Sequence, residues 1–110
     1  MRLSEKQVKF TGMLGKLLVF ASDNEIPIKI VELYRSPEKQ FNLYKKGKTK
    51  TLNSSHIKGL AVDLAIIKDG QYITEETAYV SLGEYWEEVG GVWGGSWHTF
   101  KDSVHFGFKG

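Results

Sequence analysis

The chain has 110 residues, of which 41% are hydrophobic and 25% charged, and its formal net charge at pH 7 is +2. This length and composition predict one globular domain over residues 1–110 and exclude a disordered or fibrous chain. Because cysteine is absent, disulfides and thiolate metal sites are excluded, and any metal must be held by histidine or carboxylate side chains. No apolar run reaches the roughly 18 residues that a membrane span requires.

The first predicted elements are a helix and a strand. Apolar residues at a spacing of 3.6 predict a helix over residues 5–23, with Ser4 and Gln7 as a capping box. The segment IPIKIVELYR is rich in β-branched residues, which favours a strand ending at Arg35.

Two further helices are marked by their terminal residues. Ser36 is predicted as an N-cap, Pro37 as the first helical residue and Gly47 as the C-cap. Ser81 followed by Glu84 fits a second capping box, and this helix ends at the two glycines after EYWEEV.

Strands are predicted at residues 60–67, before a turn at KDGQ, and in the terminal segment VHFGF. The order of helices and strands indicates an α+β fold, with a small, largely antiparallel sheet against which helices pack.

A basic cluster follows the second helix and consists of Lys45, Lys46, Lys48 and Lys50. It forms either an anion-facing patch or, as short runs of this kind more often do, a solvated loop.

Asp63 stands in the middle of the otherwise apolar strand at residues 60–67. A lone buried carboxylate costs several kcal/mol unless a cation or several donors compensate it, so Asp63 requires a partner. Strand alternation places the four large apolar residues on one face and Asp63 between Ala61 and Ala65 on the other.

The terminal strand presents His105 beside Gly107 in the same way. If the two strands are neighbours, Asp63 and His105 converge, and His56 can complete three ligands from the loop before residue 59. Two imidazoles and a carboxylate suit Zn²⁺ and leave a fourth position for water. The alternative is that His56 caps the loop, Asp63 binds backbone donors and His105 is an ordinary strand histidine.

Four segments together resemble a known family. SSHIKGLAVD fits S-x-H-x-x-G-x-A-x-D from Ser54 to Asp63, and DSVH supplies a later D-x-x-H. With YRSPEKQ and VWGGSWHTFKDSVHF, these segments are similar to the zinc D-alanyl-D-alanine carboxypeptidase and L-alanyl-D-glutamate peptidase family. The resemblance is strongest to small phage-encoded peptidoglycan peptidases of the endolysin type, and it extends from about Leu3 to Phe108.

The resemblance implies that His56, Asp63 and His105 bind one zinc ion. It also implies that Asp102 is the general base for attack of a zinc-bound water on the peptide carbonyl. The alternative for Asp102 is a turn residue ahead of the last strand.

Other site residues follow from the same resemblance. Arg35 is implied to stabilise the oxyanion, the alternative being a surface ion pair with Glu38. Ser54 and Gln40 either contact ligand or substrate or serve as caps. Trp97 either walls the cleft or fills the core.

Three residues near the end of the chain complete this interpretation. Trp93 is predicted to be a core residue and His98 a surface residue. Ser96 stands where the family often has aspartate, which removes a charge near the site.

The resemblance implies a zinc metallopeptidase that hydrolyses peptidoglycan stem peptides, with the L-alanyl-D-glutamate bond as the favoured target. The alternatives are a D,D-carboxypeptidase or dipeptidase, and a non-catalytic, metal-containing wall-binding or phage structural module. Nucleic-acid binding through the basic cluster is a third hypothesis, which predicts steep salt dependence and no need for zinc.

We expect a monomer that neither binds nucleic acid nor inserts into a membrane. The N-terminal MRLSEKQVKF lacks the apolar region of a signal peptide. We therefore expect synthesis in the host cytoplasm and action on the cell wall after release.

Overall fold

The computed structural model describes residues 1–49, 51, 54–99 and 101–110. The α-helices within these residues are α1 (Leu3–Asp23), α2 (Pro37–Lys45) and α3 (Val80–Glu88). The strands are β1 (Ile28–Glu32), β2 (Ala61–Lys68), β3 (Gln71–Ile73), β4 (Gly91–Trp93) and β5 (His105–Phe108). Short 3₁₀ helices lie at Ser55–Lys58, Glu76–Tyr79 and Gly94–Ser96.

The strands form one sheet with the order β1-β2-β5-β4, and β3 pairs with the end of β2. Asp63 in β2 pairs with both Glu32 and His105, so β1 and β5 lie on opposite edges of β2. Each pairing is antiparallel. The predicted α+β fold with a small antiparallel sheet is therefore confirmed.

The core lies between one face of the sheet and helices α1 and α3. Phe106 and Phe10 each meet the ring of Trp86 edge-on, with centroids 6.1 and 5.9 Å away. The Trp86 indole N–H donates to the carbonyl of Gly107 at 2.9 Å, so this buried donor is satisfied. Large apolar residues in β2 and just before it belong to this core: Leu60, Val62, Leu64 and Ile66. Burial of this face leaves the opposite, small-residue face of β2 to carry Asp63.

Two of the predicted helix starts are wrong. Helix α1 is preceded by Arg2, whose backbone N–H donates to Glu5 Oε1 at 3.3 Å, so Ser4 lies inside the helix. Helix α3 continues directly from the 3₁₀ turn that ends at Tyr79, which makes a cap at Ser81 unnecessary. In both cases the residues before the expected cap already adopt a conformation that starts the helix.

The start of α2 is confirmed. The Ser36 hydroxyl accepts the backbone N–H of Lys39 at 3.1 Å, and Pro37 is the first helical residue. Gly47, with φ of +71°, follows one residue after the C-cap Lys46.

Strand β1 ends at Glu32 rather than at the predicted Arg35. Its register with β2 shifts between Ile30 and Glu32, as at a β-bulge. The segment after the bulge leaves the sheet, and the Arg35 backbone N–H then donates to the His56 carbonyl at 3.2 Å. The bulge therefore carries Arg35 toward the loop that holds His56.

Strands β3 and β4 are not among the predicted elements. Each has only three residues, which is too short for alternation to be recognised. Asp69 and Gly70, with φ of +51° and +75°, form the predicted turn and return the chain from β2 to β3. Among the helices of the described ranges, none combines the length and the apolar character that crossing a membrane requires.

Candidate metal centre

His56 is held in the short 3₁₀ helix that precedes β2. The Ser54 hydroxyl caps this helix by accepting the His56 backbone N–H at 3.2 Å, and Gly59, with φ of +68°, ends it. The His56 side chain is only 2% exposed, and its Nδ1 lies 3.4 Å from the carbonyl oxygen of Leu33. Both the backbone and the ring orientation of His56 are therefore determined by its neighbours.

Asp63 and His105 face each other across the β2–β5 pairing, which places their side chains on the same side of the sheet. Asp63 Oδ1 lies 3.2 Å from His56 Nε2 and 3.5 Å from His105 Nδ1. Potential ligand atoms of the three residues all lie within 4.8 Å of one another. The predicted convergence of His56, Asp63 and His105 is confirmed.

The donor set fits a zinc ion. Ligand atoms about 2.0 to 2.1 Å from a tetrahedral ion lie roughly 3.3 Å apart. The distances from Asp63 Oδ1 to the His56 and His105 nitrogens, 3.2 and 3.5 Å, are close to this value. Because a carbonyl oxygen only accepts hydrogen bonds, the Nδ1 of His56 that faces Leu33 is the protonated nitrogen. In neutral His56, Nε2 then presents a lone pair to the carboxylate of Asp63, and either a proton on Nε2 or a metal ion between the two groups removes the repulsion.

The pKa of Asp63 is lowered to about 2. Burial acts to raise this pKa, but hydrogen bonds from His105 and His56 and the charges of both rings outweigh it. A lowered pKa means that the ionised carboxylate stabilises the folded metal-free protein above about pH 4, and that this stabilisation is lost as the pH falls toward 2. The strand tolerates Asp63 because the two histidines surround its carboxylate.

Asp102 lies just before β5. Its backbone N–H donates to the Gly94 carbonyl at 3.0 Å, and its own carbonyl accepts the His105 backbone N–H at 3.0 Å. Burial and the negative charge of Asp63 raise the pKa of the Asp102 carboxyl. A raised pKa makes the carboxylate a better proton acceptor, as a general base near a metal requires.

A cavity of about 420 Å³ opens beside these residues. Its described lining comprises Arg35, Leu43, Lys48, Thr49, Thr51, Ser54, Ser55, His56, Trp97, Asp102 and His105. A larger, shallower depression of about 620 Å³ lies against α1 and α3, but no histidine is among the residues that line it. The smaller cavity is therefore the one that joins the metal centre to solvent.

Arg35 is held by two side chains. Its Nε and Nη2 donate to Glu32 Oε1 at 2.8 and 2.5 Å, and its Nη1 donates to Gln40 Oε1 at 2.8 Å. Glu32, rather than Glu38, is thus the ion-pair partner, and the alternative of a pair with Glu38 is wrong. Glu32 also pairs with Lys39. Glu32 could have been predicted as the partner of Arg35, because it is an acidic residue at the end of an apolar strand, three positions before Arg35.

Gln40 is 1% exposed and is enclosed between Arg35 and the segment after α2. Its Nε2 donates to the Thr51 carbonyl at 2.6 Å, while its Oε1 accepts from Arg35. Burial at this level places Gln40 behind the cavity, where it orients Arg35.

The tryptophans of the terminal segment have different environments. Trp97 lines the cavity, and its ring centroid lies 5.1 Å from that of His105. Trp93 is buried in the core, where its indole N–H donates to the Ser103 carbonyl at 2.8 Å, as predicted for a core residue. Ser96 and His98 are exposed.

The lysines of the basic cluster lie in different environments. Lys48 lines the cavity, whereas Lys46 is exposed outside its lining. Lys45 lies over the ring of Phe41, 5.4 Å from its centroid. Lys50 is outside the described residues.

Comparison with known proteins relates most of this chain to peptidoglycan peptidases. A family described as D-alanyl-D-alanine carboxypeptidase matches residues 47–108, which include His56, Asp63, Asp102 and His105. The chain is 34% identical to the peptidoglycan L-alanyl-D-glutamate endopeptidase CwlK of Bacillus subtilis, with 77% of this chain and 62% of that protein covered. It is 31% identical to the L-alanyl-D-glutamate peptidase of Listeria phage A118, with 86% of this chain and 36% of the phage protein covered.

A solved structure shows the same similarity. The L-Ala D-Glu endopeptidase ChiX of Serratia marcescens superposes with a TM-score of 0.65 at 32% identity, covering 76% of this chain and 68% of that one. The chain thus spans most of ChiX, but less than two thirds of the length of CwlK or of the phage peptidase.

Proposed function

We propose that this chain, which belongs to the D-alanyl-D-alanine carboxypeptidase family, is a zinc metallopeptidase and hydrolyses peptidoglycan stem peptides. The observation that carries the proposal is the convergence of His56, Asp63 and His105 beside Asp102, three of them on the wall of one open cavity. The names of the three similar proteins favour the L-alanyl-D-glutamate bond as the one that is cut.

His56, Asp63 and His105 would hold the ion. Bound zinc would supply a Lewis acid that lowers the pKa of a water molecule to about 7 and so provides a nucleophile at neutral pH. The three ligands come from rigid segments, so their positions need little adjustment when the ion binds.

Asp102 is assigned the proton transfer. Its carboxylate accepts the proton of the attacking water and later returns it to the leaving amine, so that each hydrolysis leaves Asp102 in its starting state. Its raised pKa suits both proton transfers. A more basic carboxylate accepts the proton of water more readily, and the carboxylic acid that results can still donate the proton to the amine.

Arg35 is assigned to stabilise the negative charge that develops on the carbonyl oxygen. Hydrogen bonds to Glu32 and Gln40 use three of its five N–H donors and hold the guanidinium against the cavity wall. The two remaining donors can stabilise the oxyanion of the tetrahedral intermediate. Ser54 and Trp97 line the same cavity and are proposed to contact the substrate.

A D,D-carboxypeptidase is the second candidate, because the family that matches residues 47–108 is described by that activity. Both reactions use the same metal and base, so they differ only in how the cavity receives the peptide. A non-catalytic module is a weaker alternative, because Asp102 and Arg35 accompany the three ligands.

We further propose that the protein acts as a monomer on the cell wall after release from the cytoplasm in which it is made. These points depend on the resemblance to endolysin-type peptidases.

The test of function is cleavage of purified peptidoglycan by the zinc-loaded protein, followed by mass spectrometry of the released peptides. New L-alanine and D-glutamate termini are expected. Release of D-alanine alone would support the carboxypeptidase instead, and no new terminus in the presence of zinc would refute a peptidase function.

Asp102→Asn tests the general base. Removal of its proton-accepting oxygen is expected to lower kcat by about 100-fold or more while zinc content stays near one ion per chain. Asp69→Asn, in the exposed turn after β2, is the matched control and should retain full activity. An Asp102→Asn enzyme with normal turnover would remove Asp102 from the mechanism.

A further inference from the structure

We propose that Lys48 is an anion subsite of the cavity and receives a substrate carboxylate, namely the free carboxylate of the glutamyl residue beside the cleaved bond. This inference rests on the proposed function, which it extends to a residue outside the ligand and base set.

Lys48 belongs to the cavity by position. The described lining of the cavity includes Lys48 together with His56 and Asp102, although the Lys48 side chain is solvent-exposed. A charged residue at the rim of a cleft attracts a ligand of opposite charge without bearing the full cost of burial.

The backbone on both sides of Lys48 is anchored. Gly47 turns the chain with φ of +71°, and the Lys48 N–H donates to the Leu43 carbonyl at 2.9 Å. The next residue, Thr49, accepts at its hydroxyl the backbone N–H of Thr51 at 3.4 Å and the Gln40 amide at 3.5 Å. The base of the Lys48 side chain is therefore held at the cavity, so binding a ligand requires little ordering of the backbone.

Lys48 differs from the neighbouring cations in its contacts, because each of those cations has a charged or aromatic partner. Arg35 and Lys39 share Glu32, and Lys45 lies over an aromatic ring. Among the described residues, Lys48 has no ion pair with an acidic side chain. Asp102 is the acidic residue of the described lining, and it lies beyond ion-pair distance of Lys48. An anion from the substrate is the missing partner.

The chemistry of a glutamyl residue supplies such an anion. Its nitrogen lies in the cleaved bond, and only one of its two carboxyl groups can continue the peptide chain. The other remains a carboxylate unless it is amidated, so the substrate carries a negative charge close to the reacting carbonyl. A C-terminal carboxylate, as on a carboxypeptidase substrate, is the second source of the same chemistry.

Four synthetic peptides separate these sources. One pair differs only in whether the glutamyl carboxyl is free or amidated, and the other pair differs only in whether the C-terminus is free or amidated. Lys48→Met keeps the aliphatic stem and removes the charge. Lys46→Met, two residues earlier on the exposed surface, is the matched control.

Lys48→Met is expected to raise KM about 5-fold for peptides with the free glutamyl carboxylate, as for one exposed charge pair, without changing kcat. It should leave KM unchanged for the peptide whose glutamyl carboxyl is amidated, and Lys48→Arg should restore the wild-type value. The difference should also shrink as the salt concentration rises.

Three results would overturn the proposal: an equal KM for Lys48→Met and wild type, an equal loss on all four peptides, or a loss that follows the C-terminal carboxylate. If the wild type cleaves none of the peptides, the proposed function fails separately. Calorimetric binding of the same four peptides to wild type and Lys48→Met then still decides whether Lys48 recognises the glutamyl carboxylate.

Discussion

Gly94 shows how closely single residues are fitted around the metal centre. A Cβ atom built at this position would lie 2.2 Å from the backbone oxygen of Asp102 and 3.0 Å from the Cβ of His105. The first distance is far inside van der Waals contact and involves backbone, which cannot rotate away. The absence of a side chain at Gly94 therefore permits the proposed base and a proposed ligand to occupy their places.

Gly94→Ala is expected to displace Asp102 and His105 and to lower the free energy of unfolding by about 1 to 3 kcal/mol, as overpacking does. Zinc affinity should fall with it. Urea unfolding and zinc titration measure the two effects. Gly12→Ala in α1 is the control, since a Cβ there meets nothing within 4 Å, and it should stabilise the protein by about 0.5 to 1 kcal/mol. Unchanged zinc affinity in Gly94→Ala would contradict this account.

Among the elements, strand β1 and helix α2 together position Arg35. The bulge in β1 places Glu32 at the end of the strand, and α2 supplies the buried Gln40 from the other side. Glu32 itself is held as an anion, because its hydrogen bonds with Arg35 and Lys39 outweigh burial and lower its pKa. Arg35, the proposed oxyanion donor, is thus oriented by hydrogen bonds to two elements, β1 and α2.

Glu32→Gln tests this arrangement, because it keeps the shape of the side chain and removes the charge that holds Arg35. A donor that matters only in the transition state should, when mispositioned, lower kcat roughly 10-fold with little change in KM or zinc content. Steady-state kinetics and metal analysis provide the measurement. Glu38→Gln, in the first turn of α2 and exposed, should leave kcat unchanged. Parallel rises in KM and falls in stability, with kcat preserved, would argue for a structural role alone.

At the scale of the whole molecule, the metal centre joins segments that are far apart in the chain. His56 comes from a 3₁₀ helix, Asp63 from β2 and His105 from β5. An ion held by all three binds the folded protein and not the unfolded chain, so its binding energy adds to the free energy of unfolding.

Zinc removal is therefore expected to lower the melting temperature. At a free zinc concentration of 100 times Kd the stabilisation is about 2.7 kcal/mol, which corresponds to roughly 10 °C or more for a domain of this size. Calorimetry with and without a chelator measures the shift. His56→Ala should abolish it, whereas His98→Ala, at an exposed position, should retain it. A wild-type melting temperature that is independent of zinc would refute the metal centre.

The sequence by itself determined which face of each strand its residues occupy. Alternation placed Asp63 and His105 on small-residue faces, and the capping residues Ser36 and Pro37 defined the start of α2. These features depend on residues within a few positions of one another, so local geometry decides them. The resemblance to one family, which the comparisons confirm, was readable for the same reason, because the motifs that carry it are short and continuous.

Only the tertiary structure decided which of these residues meet. The pairing of β2 with β5 brings Asp63 to His105. After the bulge in β1, Arg35 forms its ion pair with Glu32 and not with Glu38. The assignment of Lys48 to the cavity wall likewise arises from the turn after α2, which short-range patterns could not connect to a metal centre. Such contacts depend on how distant elements pack on a common core, and periodicity along one segment carries no information about the position of another.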